Sequence, residues 1–464
     1  MGLRVVPLLL ALGCVPNDPG VKGDTAAAST STPPTSTGTT EPGSEPFLSG
    51  GCVQGEVATV AECAFEADRL VDLVIEWAAP HLDRPRILRR AEAAEHRFAV
   101  PLLTEQTAWT WTAWSELSPS VVLTGALTTG AAKASPFAME VLGPPQVELV
   151  AFAGRCGLAG HLVVVDSATG RLAMSTPLGE AQPEGLRFGR DGGLVVLDAA
   201  NLRDVGPDGV VRNTVPMAGL GAHHDAVAWQ DGYAVLVQER IDLTVFEYRI
   251  DDSLVLLDDL GLELARVVFS DLFPPHPETA RDWTHANSVG PAADPGDLLV
   301  SLRHQSAVFQ VAADPDAPDF GALRWYINGD PDNPDSVRGS DLRVVDALGN
   351  PADFVRQHDP NLLADGRLTL FDNRHSPGPS RLVDLRLDFD AGEAVVERVW
   401  ELDRHCDFQG GARELPGGGR LATCAPQRQV MAFAPEAPTA HVWALNAGCE
   451  ADAGYITRAL PGPW

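Results

Sequence analysis

Lysine is almost missing from this 464-residue chain: Lys22 and Lys133 are the only two. With 63 acidic against 34 basic residues, the formal charge is −29. A surface this acidic is repelled by a phosphate backbone, which argues against nucleic acid as a partner. No CxxC pair or zinc-ligand spacing occurs, so a structural zinc site is not expected. No GxxxxGK[ST] loop is present, and nothing points to a nucleotide donor or any other cofactor. The apolar run at 5–12 is far short of the roughly 20 residues that a spanning helix needs. Helical periodicity is also nearly absent, and what remains is an all-β reading.

The N-terminus reads as an export signal. Arg4 supplies a positive start, the apolar run follows, and Ala11-Leu12-Gly13-Cys14 resembles a lipobox, in which a small residue precedes a lipidated cysteine. Residues 1–13 are then the signal peptide and Cys14 the lipidation site. Residues 14–50 form a tether whose stretch 25–46, rich in Ser, Thr, Pro and Gly, cannot bury enough apolar area to fold. Val15 is no obvious inner-membrane retention signal. The expectation is a protein exported and lipid-anchored to a bacterial cell envelope, at the outer membrane or cell surface.

With Cys14 set aside, six cysteines remain: Cys52, Cys63, Cys156, Cys406, Cys424 and Cys449. An even number in an oxidising compartment suggests disulfides, although sequence alone does not fix the pairing. Close spacing favours Cys52–Cys63 and Cys406–Cys424, which leaves Cys156 with Cys449.

Two folded regions follow. Residues 51–140 contain alternating strand-like segments, in which Val71, Leu73, Ile75 and Trp77 share one face. They predict a sandwich of immunoglobulin or fibronectin III type. From 145 to 464 a strand–turn–strand unit recurs at 185–198, 224–238, 285–303, 358–373 and 410–424, with 147–174 as a further copy. Tight Asp/Gly turns join the strands. Repetition of this kind predicts a β-propeller of about six four-stranded blades. The start of each inner strand then faces a common channel.

That arrangement makes the histidines informative. His223 and His224 precede one repeat, His285 opens the next, His358 opens a third, and Arg303 ends the second strand of the middle one. A lone histidine is ordinarily structural, but several at equivalent repeat positions converge on one channel mouth.

The segments DWTHANSV (282–289), SLRHQS (301–306), LRWYING (323–329), QHDPNLLADGRLTLFDN (357–373) and SRLVDLRLD (380–388) occur in this order, after an HHD motif at 223–225. Together they resemble the arylsulfate sulfotransferase family. The resemblance implies a six-bladed propeller, often with an N-terminal β-sandwich. It also implies sulfuryl transfer from a small-molecule aryl sulfate to a phenol without a nucleotide. By position, His358 matches the nucleophile, and His285 and Arg303 match its sulfate-holding partners. His224 or His223 matches the remaining site histidine. His405 receives no role from the resemblance. Two other readings compete. One is a catalytically silent or repurposed binding propeller at the cell surface. The other is a metal-dependent hydrolase, against which the guanidinium of Arg303 argues.

Overall fold

The structure, a computed structural model, describes residues 48–464 except 117, 245–246, 274, 276–280, 334–335, 337, 376–377, 452–453 and 463–464. The expected signal peptide, Cys14 and nearly all of the tether lie outside the described residues. No helix among the described residues is long and apolar enough to cross a membrane.

Among the described residues, 137 onward form six sheets, four of them four-stranded and two five-stranded, antiparallel except where Arg343–Val345 pairs with Glu393–Glu401. Apolar runs such as LVVLD (Leu194–Asp198) and DLLVSL (Asp297–Leu302) are buried along their whole length. Such short runs, bounded by turns, suit strands covered on both faces. The turns carry the residues that tight reversals need. In the Ala364-Asp365-Gly366 turn, Gly366 takes φ +84 and its N–H reaches Leu363 O.

The innermost strands are β1 (Pro183–Phe188), β2 (Ala222–Trp229), β3 (Ala286–Pro291), β4 (His358–Leu362), β5 (Gly411–Glu414) and β6 (Gly454–Pro461). Each starts one sheet, and each touches the next around a closed ring, with β6 returning to β1. That ring is the axis of a six-bladed propeller. Apolar side chains pack between neighbouring blades: Val227, Leu236 and Leu254 of one meet Val289, Val300 and Phe309 of the next. The blade built from Leu149–Cys156, Ala159–Asp166 and Leu172–Gly179 takes its inner strand, β6, from the far end of the chain. One sheet thus joins the first and last propeller segments and closes the ring.

The preceding segment differs from the expected sandwich. Its five strands form one hydrogen-bonded network, not two packed sheets. The long strand Ala61–Ala78 pairs with Arg86–Val100 along one edge. Along its other edge it pairs first with Leu48–Gln54 and then with Ala108–Ser115. The strand Ser118–Thr128 follows and comes back beside Leu48–Gln54. A single bent sheet therefore wraps the core of Phe65, Leu73, Ile75, Trp77, Trp109 and Trp111. The strand Phe137–Leu142, which spans the expected boundary between 140 and 145, pairs with His441–Cys449 as the outermost strand of a propeller blade.

Three disulfides form as paired from the sequence: Cys52–Cys63, Cys156–Cys449 and Cys406–Cys424. Cys156 and Cys449 lie 293 residues apart and tie the closing blade to its neighbour. Such bridges are those of a protein that matures in an oxidising compartment.

Candidate active site

The inner strands aim the histidines. β2, β3 and β4 each carry a register shift at their start, between Ala222 and Ala226, Ala286 and Ser288, and His358 and Asn361. Left-handed backbone accompanies each one, at His224 (φ +59), His285 (φ +47) and Asp359 (φ +50). Bulges of this kind re-aim side chains out of the regular alternation. Here they let adjacent residues of one motif take different partners.

The imidazoles form a connected row. The ring of His224 lies 4.9 Å from that of His223 and 4.8 Å from that of His285, edge to face in both cases. His285 stacks on His304 at 4.4 Å. Of the doublet, His224 is the member that reaches His285. His223 stands behind it, with Nδ1 2.7 Å from His224 Nδ1 and Nε2 3.2 Å from Asp252 Oδ1. The backbone N–H of His224 donates to Glu184 at 2.6 Å, and burial raises the Glu184 carboxyl above its ordinary value.

His358 is buried, and its Nδ1 lies 2.6 Å from Asn373 Oδ1. Burial, and then the charge of Arg303, hold this imidazole well below its ordinary pKa. Burial also depresses His224, with His223 and His285 adding to the effect. Both rings are therefore neutral in the resting site.

Arg303 is the cation beside them. Its Nη1 donates to His304 Nε2 at 3.0 Å and its Nη2 to the carbonyl of Asp407 at 3.3 Å. Among the described residues no carboxylate forms an ion pair with it. Burial and the neighbouring Arg356 oppose its charge, and Asp282 supports it only from a distance. A guanidinium without a counter-ion, next to neutral imidazoles, is a place for an anion.

His285 Nδ1 meets Asp282 Oδ2 at 2.5 Å. Asp282, His285 and His304 also form a possible metal-ligand group, with donor atoms within 4.8 Å of one another. Those atoms are already committed. His304 Nδ1 is bonded to the carbonyl of Asp282, and His304 Nε2 accepts from Arg303. A cation there would displace these bonds and face Arg303 at close range, which weighs against the metal-hydrolase reading.

Beneath the imidazoles every blade adds a polar side chain to a buried belt. Arg187 of β1 pairs with Asp225 of β2 (Nε to Oδ2, 3.0 Å) and donates to Ser288 of β3 at 2.7 Å. It also reaches Asp359 of β4 at 2.9 Å. Arg413 of β5 pairs with Asp359 at 2.8 Å. Arg458 of β6 pairs with Asp225 at 2.6 Å and lies 3.4 Å from Asp359. Three guanidiniums face two carboxylates, and the charge of Arg458 reaches both His224 and His358 and helps to lower them.

The structure brings His224, His285, Arg303 and His358 to one end of the channel and leaves His405 outside. His405 Nδ1 bonds the carbonyl of Gly378 at 2.9 Å, and its Nε2 lies 3.1 Å from Asp407. It braces the loop whose carbonyl holds Arg303. Sequence reasoning missed Asn373, His304, Asp282 and the belt. Asp225 and Asp359 follow the site histidines directly in HHD and QHD, so that adjacency was the signal available.

Burial gives the fold a pH dependence. His161, His224, His304 and His358 are all held below the ordinary imidazole value of 6.5, chiefly by burial. The unfolded chain therefore binds more protons as pH falls below that value. Stability from these groups is complete above it and declines below it. The urea midpoint should fall between about pH 7.5 and about pH 5.5, where carboxylates remain mostly ionised. A midpoint that stayed level across this range would contradict the neutral, buried rings.

Fold and site together define a six-bladed propeller with a histidine–arginine cluster at its axis. Residues 164–384 match the model of the arylsulfotransferase (ASST) family. Arylsulfate sulfotransferase AssT from Escherichia coli is 29% identical over 154 residues, which cover 28% of this chain. The match spans about a quarter, 24%, of that relative's length. Among solved structures, a protein of unknown function from Bacteroides caccae overlaps with TM-score 0.43 at 13% identity, covering 68% of this chain and 98% of its own. The periplasmic gluconolactonase PpgL of Pseudomonas aeruginosa overlaps with TM-score 0.37 at 14% identity, covering 84% and 99%.

Proposed function

We propose that this protein transfers a sulfuryl group from an aryl sulfate to a phenolic acceptor through a sulfo-histidine on His358, without a nucleotide. The observation that carries the reading is the pairing of a buried His358, its Nδ1 occupied by Asn373, with an Arg303 that no carboxylate among the described residues ion-pairs.

In the first step the lone pair of His358 attacks sulfur. The S–N bond forms as the S–O(aryl) bond breaks, and the phenolate leaves with the electron pair. In the second step the oxygen of the acceptor phenol attacks sulfur, the S–N bond breaks, and neutral His358 is restored. Charge builds on the sulfuryl oxygens and the departing oxygen, as in phosphoryl transfer. Arg303 stabilises the former. His285, backed by Asp282, carries the proton to the departing oxygen and takes it from the acceptor, with His224 beside it. His223, buried behind His224, fixes that ring.

The test is a chromogenic aryl sulfate with and without an added phenol. Phenol-dependent release of the aryl alcohol, with a sulfated acceptor as product, is the expected result. Binding of aryl sulfate without turnover would favour the silent binding propeller instead. Arg303→Ala should keep the nucleophile and lose charge stabilisation. Its kcat should fall on the order of 10²–10³-fold, as on loss of one oxyanion donor. A kcat within a few-fold of wild type would remove Arg303 from the role.

A further inference from the structure

We infer that Asn373 is a positioning residue that selects the attacking atom of His358, holding the ring as the Nδ1–H tautomer so that Nε2 carries the free lone pair. The inference deepens the sulfuryl-transfer reading above and rests on it for its catalytic consequence.

Two backbone carbonyls fix the orientation of the Asn373 amide. Asn373 follows the strand Arg367–Asp372, which pairs with β4 and sets Phe371 opposite His358. Its side chain is completely buried. The amide nitrogen Nδ2 lies 2.6 Å from the carbonyl of Cys406 and 2.9 Å from that of Gln409. Carbonyl oxygens only accept, so the NH₂ group must face them and Oδ1 must face His358. Oδ1 is itself an acceptor, so at 2.6 Å His358 Nδ1 must be the donor. A neutral imidazole has one N–H, and with it on Nδ1 the Nε2 atom is bare. Flipping the amide would set an oxygen against two carbonyls and an NH₂ group against the ring.

The orientation has its own support. The carbonyl of Asn373 accepts from Ser380 Oγ at 3.0 Å, and the same Oγ accepts the N–H of Cys406 at 2.9 Å. Gln409 is held left-handed at φ +50, an uncommon state for a residue with a side chain, where its carbonyl meets Asn373. The segment 406–409 also presents the carbonyl of Asp407 to Arg303. One short loop thus positions both the nucleophile and the cation.

The experiment has two arms. In the first, wild-type protein labelled with ¹⁵N-histidine is examined by long-range ¹H–¹⁵N correlation, with His358 assigned from its loss in His358→Ala. An Nδ1–H pattern at neutral pH is expected, and an Nε2–H pattern overturns the inference. In the second arm, Asn373→Leu removes the acceptor at similar volume, and Asn373→Asp keeps an acceptor facing Nδ1. Asn373→Leu should lose the single-tautomer signature, and kcat for phenol release should fall roughly 10–100-fold with KM nearly unchanged, the range of one misplaced or mis-protonated catalytic group. Asn373→Asp should keep the Nδ1–H pattern and move the acidic limb of the pH profile to higher pH, because a carboxylate favours the imidazolium. Equal loss in both variants with an unmoved pH profile would mean that Asn373 is merely structural. If wild type shows the Nδ1–H pattern but turns over no aryl sulfate, the sulfuryl-transfer reading fails and the positioning role stands. If wild type turns over aryl sulfate with an Nε2–H ring, the positioning role alone fails.

Discussion

Replacing His358 by alanine should abolish release of phenol from an aryl sulfate, even with no acceptor present. A missing nucleophile blocks the first of two steps, so added acceptor cannot compensate. The fall should be on the order of 10⁴-fold or more, as when a covalent nucleophile is removed elsewhere. Wild type quenched after exposure to donor alone should carry an adduct of about 80 Da on His358, the mass of one sulfuryl group. His358→Ala should carry none. The acidic limb of the wild-type rate should also lie below the ordinary imidazole value, because burial and Arg303 keep His358 neutral as pH falls. Full activity in His358→Ala, or an adduct on another histidine, would move the nucleophile elsewhere in the row. The variant's fold can be checked separately through the Cys406–Cys424 bridge, since Asn373 joins His358 to the carbonyl of Cys406.

Features that the chain encodes over short stretches are legible in the amino-acid order alone. The tight Asp/Gly turns and buried apolar runs mark the two inner strands of the blades, because a hairpin is written in a dozen neighbouring residues. The close cysteine pairs are legible for the same reason. Contacts made across the ring are not. β6 has the sequence GYITRALP, and nothing local in it says that it pairs with Leu149–Cys156, about three hundred residues earlier. The belt is hidden likewise. Arg187, Arg413 and Arg458 lie on three different blades, and each looks like an ordinary strand arginine until the ring closes. In the N-terminal segment the alternation of Val71, Leu73, Ile75 and Trp77 gives the buried face correctly. Alternation does not say which strands pair, and a single bent sheet buries the same face as a sandwich.

The belt should prove the most sensitive point in the fold. Asp359 is fully buried and takes Arg187, Arg413 and Arg458, and it also accepts the N–H of Ala412 at 3.1 Å. Asp359→Asn would leave three guanidiniums around the single carboxylate of Asp225. Breaking a buried pair by removing one partner costs about 3–5 kcal/mol, because the other charge stays desolvated without compensation. Tm should therefore fall by roughly 5–10 °C. Because Asp359 joins β4 to β1, β5 and β6, the loss should also loosen the seat of His358. The opposite change separates charge from packing. Arg413→Met removes the surplus cation and keeps an unbranched apolar stem in its place, so it should cost less than Asp359→Asn. Thermal and urea unfolding of the two variants measure the difference. If Asp359→Asn melted within a degree or two of wild type, the belt would be a by-product of ring closure. If Arg413→Met were the worse of the two, Arg413 would matter for its bond to Asn361 more than for its charge.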